Sequence, residues 1–319
     1  MTNPGRVILL LLILGLPFPG RAEDSSDSPK PYLPSLLLCG KDRDFLAHIH
    51  KGKIDWEYKS DGPLVDIQAQ PIANRFLVVG GSKKVFLLRK VDSGCRVIWD
   101  WTHMEGVQVS CATAADWDLD GNPTLILAGD ILTNRLFLAE AKSNTIKTRW
   151  EFKLLAAPRA VHICPDTGNF LVVMADSTIE EIYFQEDKVV WIVGKGTLLK
   201  NVLDAIRDPM GLNYAAEGSD GSVICFNSDQ KTLWKSHLPF AHSNGKLKAL
   251  ALSLYKKKGK RIVMASAHFT GGGENAKDLV YLLNADTGKV LAWSDHLDKG
   301  AYPPFEKVVP DTPSYFRKQ

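Results

Sequence analysis

A tryptophan recurs at the same place in six successive stretches of β-forming sequence, and this recurrence limits the fold more than any single residue does. The fullest copy is LVYLLNADTGKVLAW, from Leu279 to Trp293. The others end at Trp56, Trp99, Trp150, Trp191 and Trp234, each after an apolar run and a polar turn such as HKGK, VDSG or SDQK. Successive tryptophans lie 43, 51, 41, 43 and 59 residues apart. A strand-rich unit of this length cannot bury its own apolar face, so its copies must stack into a toroid or solenoid.

A second run recurs between the tryptophan segments: LLLCGK (36–41), LVVGGS (77–82), LILAGD (125–130), LVVMAD (171–176), YAAEGS (214–219) and IVMASAH (262–268). Unbroken hydrophobicity predicts burial on both faces, as for a strand near the axis of stacked sheets. A half-buried strand, a turn and the tryptophan strand follow, and a less regular fourth strand (VDIQAQPIA, VQVSCATAADW, RAVHICP, LKALALSLY) completes each unit. Four antiparallel strands per unit make the blade of a β-propeller. The expected fold is therefore all-β, a propeller of six four-stranded blades over residues 36–310, with seven as the alternative count. The segment AYPPFEKVV (301–309) is the expected closing strand, shared between the first and last blades so that no edge stays open. Residues 311–319 form a C-terminal tail.

At the other end, Arg6 precedes VILLLLILGLPF (Val7 to Phe18), and the small residues Gly20 and Ala22 follow. Twelve apolar residues fall short of the ~20 that span a bilayer, so residues 1–22 read as a secretory signal peptide cleaved near Ala22. Residues 23–35, EDSSDSPKPYLPS, read as a flexible leader. This predicts a secreted or periplasmic, monomeric chain with no transmembrane segment after signal removal. The cysteines at 39, 95, 111, 164 and 225 are spread singly, most of them inside apolar runs, and read as buried thiols rather than a disulfide framework. With 39 basic against 36 acidic side chains, bulk charge gives no pull toward nucleic acid. The run KKKGKR (256–261) lies between two apolar strands and reads as a solvated hairpin tip.

Candidate site residues come from breaks in the repeat and from strand ends. In DWDLDGN (116–122), carboxylates at alternating positions before a glycine can wrap a hard cation, making Asp116, Asp118 and Asp120 candidate Ca²⁺ ligands. An aspartate-rich turn that hydrogen-bonds its own backbone is the competing reading. Lys41, Ser82, Asp130, Asp176, Ser219 and His268 end the continuous apolar strands and are the candidate ligand-binding ring at a channel mouth. His48 and His50 share one face of a strand, as a metal pair or an exposed pair. The insertion HFTGGGENAKD (268–278) adds a glycine-rich lip, and the tryptophans themselves read as packing between units.

The segment NADTGKVLAW (284–293), and less fully DSGCRVIW (92–99), resembles the pyrroloquinoline-quinone-like (PQQ-like) propeller repeat of quinoprotein dehydrogenases and of the outer-membrane assembly lipoprotein. The resemblance implies architecture over nearly all of residues 36–310. It is specific for architecture and weak for chemistry; the expected function is that of a non-catalytic branch, an exported binding or scaffold module for a protein or cell-envelope partner, with no catalytic residue and no cofactor beyond the candidate Ca²⁺. The alternative is a quinoprotein oxidoreductase that uses PQQ and Ca²⁺ on alcohols or sugars. That enzyme class often carries adjacent cysteines, which this sequence does not contain, and no constellation here matches its catalytic residues. A hydrolase or lyase is the third class, and no Ser/His/Asp order or HExxH helix supports it.

Overall fold

The computed structural model describes residues 36–40, 44–50, 53–62, 64–69, 75–80, 84–91, 94–102, 108–115, 125–142, 145–183, 188–193, 199–239, 246–257, 259–270, 277–294 and 305–310. Among them the chain is all-β, in six four-stranded antiparallel sheets. The first contains β1 (Leu36–Gly40), β2 (Phe45–His50), β3 (Lys53–Lys59) and the C-terminal β24 (Phe305–Pro310), in the order β24-β1-β2-β3. The second holds β4 (Leu64–Ala69), β5 (Arg75–Gly80), β6 (Lys84–Val91) and β7 (Gly94–Thr102). The third holds β8 (Val109–Ala115), β9 (Leu125–Asp130), β10 (Arg135–Lys142) and β11 (Thr145–Lys153). The fourth holds β12 (Pro158–Ile163), β13 (Phe170–Met174), β14 (Ile179–Tyr183) and β15 (Lys188–Val193). The fifth holds β16 (Val202–Arg207), β17 (Asn213–Glu217), β18 (Ser222–Phe226) and β19 (Thr232–His237). The sixth holds β20 (Lys246–Lys257), β21 (Lys260–Thr270), β22 (Lys277–Asn284) and β23 (Val290–Ser294).

The continuous apolar runs fill the second place in each sheet, not the end of it. β13 and β17 are buried at every residue because they are hydrogen-bonded on both edges and covered on both faces. The less regular strands β4, β8, β12, β16 and β20, with β24, lead their sheets, and it is these that touch one another in succession: β24 with β4, β4 with β8, β8 with β12, β12 with β16, β16 with β20, and β20 with β24.

Alternation along the third strands explains why no single apolar face appears in the sequence. Val85 and Leu87 of β6 pack with Val109, Ala112 and Phe137 of the third sheet, while Phe86 and Leu88 turn the other way, onto Leu46 and Trp56 of the first. β22 repeats this: Leu279, Tyr281 and Leu283 join the fifth sheet's core, and Val280 and Leu282 pack with Ile49 of the first. Successive side chains on a strand point to opposite faces, so a sheet between two neighbours needs apolar residues at consecutive positions.

The repeat also shows in the register. Each leading strand has a β-bulge against its second strand, which leaves Glu306, Val65, Ser110, Arg159, Leu203 and Lys248 without an opposite residue. A second bulge falls in each tryptophan strand, at Asp55, Ile98, Arg149, Ile192, Leu233 and Leu291. Bulges tighten twist and re-aim side chains. Among the described residues no helix is long and apolar enough to cross a membrane.

Candidate functional site

Among the described residues, the turns that follow β9, β13 and β17 and the segments that enter β12 and β16 lie at one end of the sheets, knitted together by backbone hydrogen bonds. Leu154 N donates to Asn134 O (2.8 Å), Ala175 N to Ala157 O (2.8 Å) and Gly218 N to Asn201 O (2.9 Å). Asn134, Ser177 and Asn201 at this end have φ of 54°, 73° and 53°, a left-handed conformation that asparagine tolerates and serine rarely adopts. Ser177 is held there because its amide donates to Met174 O and its hydroxyl accepts the Val202 amide at 3.1 Å.

Four of the expected ring residues are described, and three of them bind their own turns. Asp130, the last residue of β9, accepts the Gln108, Leu132 and Thr133 amides at 2.8, 3.1 and 3.2 Å, and also the Thr133 hydroxyl. Burial alone would raise the Asp130 pKa, but these hydrogen bonds hold it below the ordinary carboxylate value. Asp176 accepts the Thr178 hydroxyl (2.6 Å) and amide (3.2 Å). Ser219 donates to Glu217 Oε1 at 3.1 Å. His268 lies inside β21 rather than beyond it, buried and opposite Ala249 and Asp278. Lys41, Ser82, and the proposed calcium ligands Asp116, Asp118 and Asp120 lie outside the described residues, as does the centre of the glycine-rich insertion. Among the described residues no group of three His, Cys, Asp or Glu side chains is placed to hold a metal ion. The His48 ring stacks on Trp56, 5.4 Å between centroids, and His48 Nδ1 meets Asp55 Oδ2 at 3.0 Å.

Residues that the sequence did not single out complete this end. Arg159, the bulge residue of β12, is exposed and its Nη1 donates to Asn201 Oδ1 (3.1 Å) and Val202 O (2.9 Å). Glu217 accepts the Lys200 amide (3.1 Å) and Lys235 Nζ (2.9 Å), and Lys235 also meets Asp220 at 2.7 Å. Burial works against the Lys235 ammonium, yet Asp220 and Glu217 outweigh it and hold its pKa above the ordinary value. Amid these neutralised pairs stand two bare leucines. Leu132 is 61% exposed and Leu155 is 74% exposed. Their turns are joined by the Leu154 to Asn134 bond and by Lys153 Nζ, which donates to Thr133 O. No spacing rule marks an exposed leucine in a turn, and a bulge is a property of pairing, so neither signal could be read from the chain.

The leading strands meet closely in the interior. Asp66 of β4 accepts the Ala112 amide of β8 at 3.2 Å. Asp204 of β16 bridges backward to His162 Nε2 (2.8 Å) and forward to the Leu252 amide (2.7 Å). Gln68 Nε2 donates to Val161 O at 2.9 Å, from the second sheet to the fourth. The approach of non-successive strands to within one glutamine side chain leaves little room between them there. Burial pushes the thiols of Cys95, Cys164 and Cys225 up to about 12, so they stay protonated at neutral pH.

No family model matches this chain and no curated protein resembles it. Among solved structures it is similar to the 1.35 Å crystal structure of a protein of unknown function from Bacteroides caccae, with a TM-score of 0.60 and 16% sequence identity. The match covers 86% of this chain and 98% of that one. At that identity the likeness is one of fold.

Proposed function

We propose that the six sheets are the blades of a closed β-propeller, and that the protein is an exported, non-catalytic module that binds a protein or cell-envelope partner through the turn end just described. For the architecture, support comes from the succession of contacts among leading strands that returns from β20 to β24. Support comes also from the apolar cluster that joins Ile49 of β2 to Tyr255 and Ile262 of the sixth sheet, and from the pairing of β24 with β1. Closure of this kind removes the edges of a sheet array. The PQQ-like resemblance of residues 284–293 agrees with it. Export rests on the apolar stretch of residues 7–18.

The observation that carries binding is the pair Leu132 and Leu155. Two large apolar side chains exposed on hydrogen-bonded turns that are joined to each other, at an end of the sheets that also carries Lys153, Arg159 and Asp176, have the composition of an interface centre with a polar border. Lys153, Arg159 and Asp176 are each hydrogen-bonded to backbone or to a neighbouring neutral side chain, which suits recognition.

A photo-crosslinking residue at position 155 in the exporting cell tests this. One discrete adduct is expected, lost on Leu132→Asp, and absent when the same crosslinker stands at position 291 on β23. Turnover of alcohols or aldoses by the purified chain supplied with PQQ and Ca²⁺ would instead establish the oxidoreductase.

A further inference from the structure

Among the described residues, Lys256, Lys257, Lys260 and Arg261 of the basic run end the paired part of β20 and β21, which extends beyond its neighbours. β20 and β21 have 12 and 11 residues, whereas the other leading and second strands have five to seven. Its register sets Lys257 directly opposite Lys260 and, next to them, Lys256 opposite Arg261. Like charges facing across a strand pair destabilise it, so Lys257 opposite Lys260 at the end of the pairing serves something other than the stability of the hairpin. Arg261 is neutralised by Asp208 and Asp286. The nearby Asp166 is engaged with Arg207. Lys256 and Lys260 stand exposed at the tip.

A second feature adjoins it. The turn from β16 to β17 displays Met210, 69% exposed. Asp208 holds that turn by accepting the Met210 amide (2.8 Å) and the Leu212 amide (3.0 Å), and the same carboxylate pairs with Arg261. One buried acid thus ties the turn of a bare methionine to Arg261, next to exposed Lys260 on the same strand. Both lie at the end of the sheets away from Leu132 and Leu155, since β16 runs from the Ser177 turn at Val202 to Arg207 at this end.

We propose that this end docks on an anionic phospholipid surface, with the hairpin lysines among the headgroups and Met210 entering the acyl boundary. Lysine clusters alone would suit any polyanion. An exposed, unbranched apolar side chain anchored to the same cluster gains nothing from a phosphate polymer and gains from the boundary of a bilayer. This adds a second surface, at the end opposite the partner site proposed above, and rests on the export in that reading.

The test is co-sedimentation of the full chain with phosphatidylcholine vesicles, with and without about one third phosphatidylglycerol. The signal is the excess bound to the anionic vesicles, compared among variants that all share residues 1–22. Each lysine near such a surface is worth about fivefold in affinity. Lys257→Gln with Lys260→Gln should therefore cost about 25-fold, the double Glu variant should abolish the excess, and Met210→Ser should weaken it severalfold. Added salt should weaken it as well. Thermal melts confirm that each variant is folded. No excess for the wild type, an excess retained by the folded double Glu variant, or binding to inorganic polyphosphate without an excess on vesicles overturns the proposal; an unchanged Met210→Ser affinity overturns the insertion. Loss of the Leu155 crosslink would leave the vesicle signal intact, and the reverse holds too, so the two readings fail separately.

Discussion

The indole of Trp234 lies against the turn that holds Gly288: a Cβ built on this glycine would stand 2.5 Å from Trp234 Cε3. Trp234 Nε1 also donates to Ala285 O, in the same turn, at 3.0 Å. A tryptophan of the fifth sheet is thereby seated on the Asp-Thr-Gly turn of the sixth, and Gly288, with φ 70°, meets both a steric and a conformational demand. Gly288→Ala is expected to lower stability by about 2–4 kcal/mol, from overpacking together with the left-handed backbone. Gly259→Ala has a similar φ of 77° and open space around it, so it should cost only about 1 kcal/mol. Urea midpoints of the two variants check the difference, and equal losses would show that the indole yields.

Asp204 ties three sheets together with one carboxylate. Oδ1 accepts the Ala205 amide (2.9 Å) and meets His162 Nε2, and Oδ2 accepts the Leu252 amide. Asp204→Ala leaves buried donors without an acceptor and should cost about 2–4 kcal/mol. His162→Ala, which removes one partner at a more exposed position, should cost less than half as much. Thermal melts of both variants and of the double mutant would show coupling between the sites if the bridge acts as a unit.

The architecture was legible because it is repetitive. The tryptophan period predicts units that resolve into sheets of four strands, and the described part of the expected closing strand, Phe305–Pro310, pairs with β1. The place of each strand within its sheet was less legible. LVVM reads as the most interior strand because it is wholly apolar, but burial of β13 comes from neighbours on both faces, which a second strand has as fully as any other. The candidate site was hardest to read. Asp130 and Asp176 look like ligands waiting for a partner, whereas their carboxylates cap their own turns. Arg159 is aimed by a bulge, and a bulge depends on two strands rather than one.

Arg207 and Glu181 form a buried ion pair at 2.7 Å between the fifth and fourth sheets. Thr167 Oγ1 (3.0 Å) and Asn169 Nδ2 (2.7 Å) donate to Glu181, and Arg207 Nε donates to Asn213 Oδ1 (2.9 Å). Arg207→Ala leaves an uncompensated buried carboxylate and should cost about 3–5 kcal/mol. Arg207→Met combined with Glu181→Leu removes both charges and should recover much of that loss, because the desolvation of two ions disappears with their attraction. Urea denaturation of the single and double variants measures the recovery; a double variant as unstable as Arg207→Ala would mean that the bonds from Thr167, Asn169 and Asn213 outweigh the charges.

Glu180 gives stability a pH dependence opposite to that of most carboxylates. It shares a face of β14 with Ile182, which packs on the third sheet, and it is buried. Burial, and secondarily the charge of Asp176, pushes its pKa from 4.5 up to about 7. Between these values the folded chain holds a proton that the unfolded chain has released. The folded state binds more protons there, so this contribution to stability is full below about pH 4.5 and is lost as pH rises through 7. In Glu180→Gln the side chain stays neutral at every pH. That variant should match the wild type near pH 4 and exceed it by about 2 kcal/mol near pH 8. Asp176→Asn should narrow the window by removing the nearby charge. Melting temperatures of the three proteins between pH 4 and about 8 provide the check, and a difference between Glu180→Gln and wild type that does not change with pH would show that Glu180 ionises as an ordinary carboxylate.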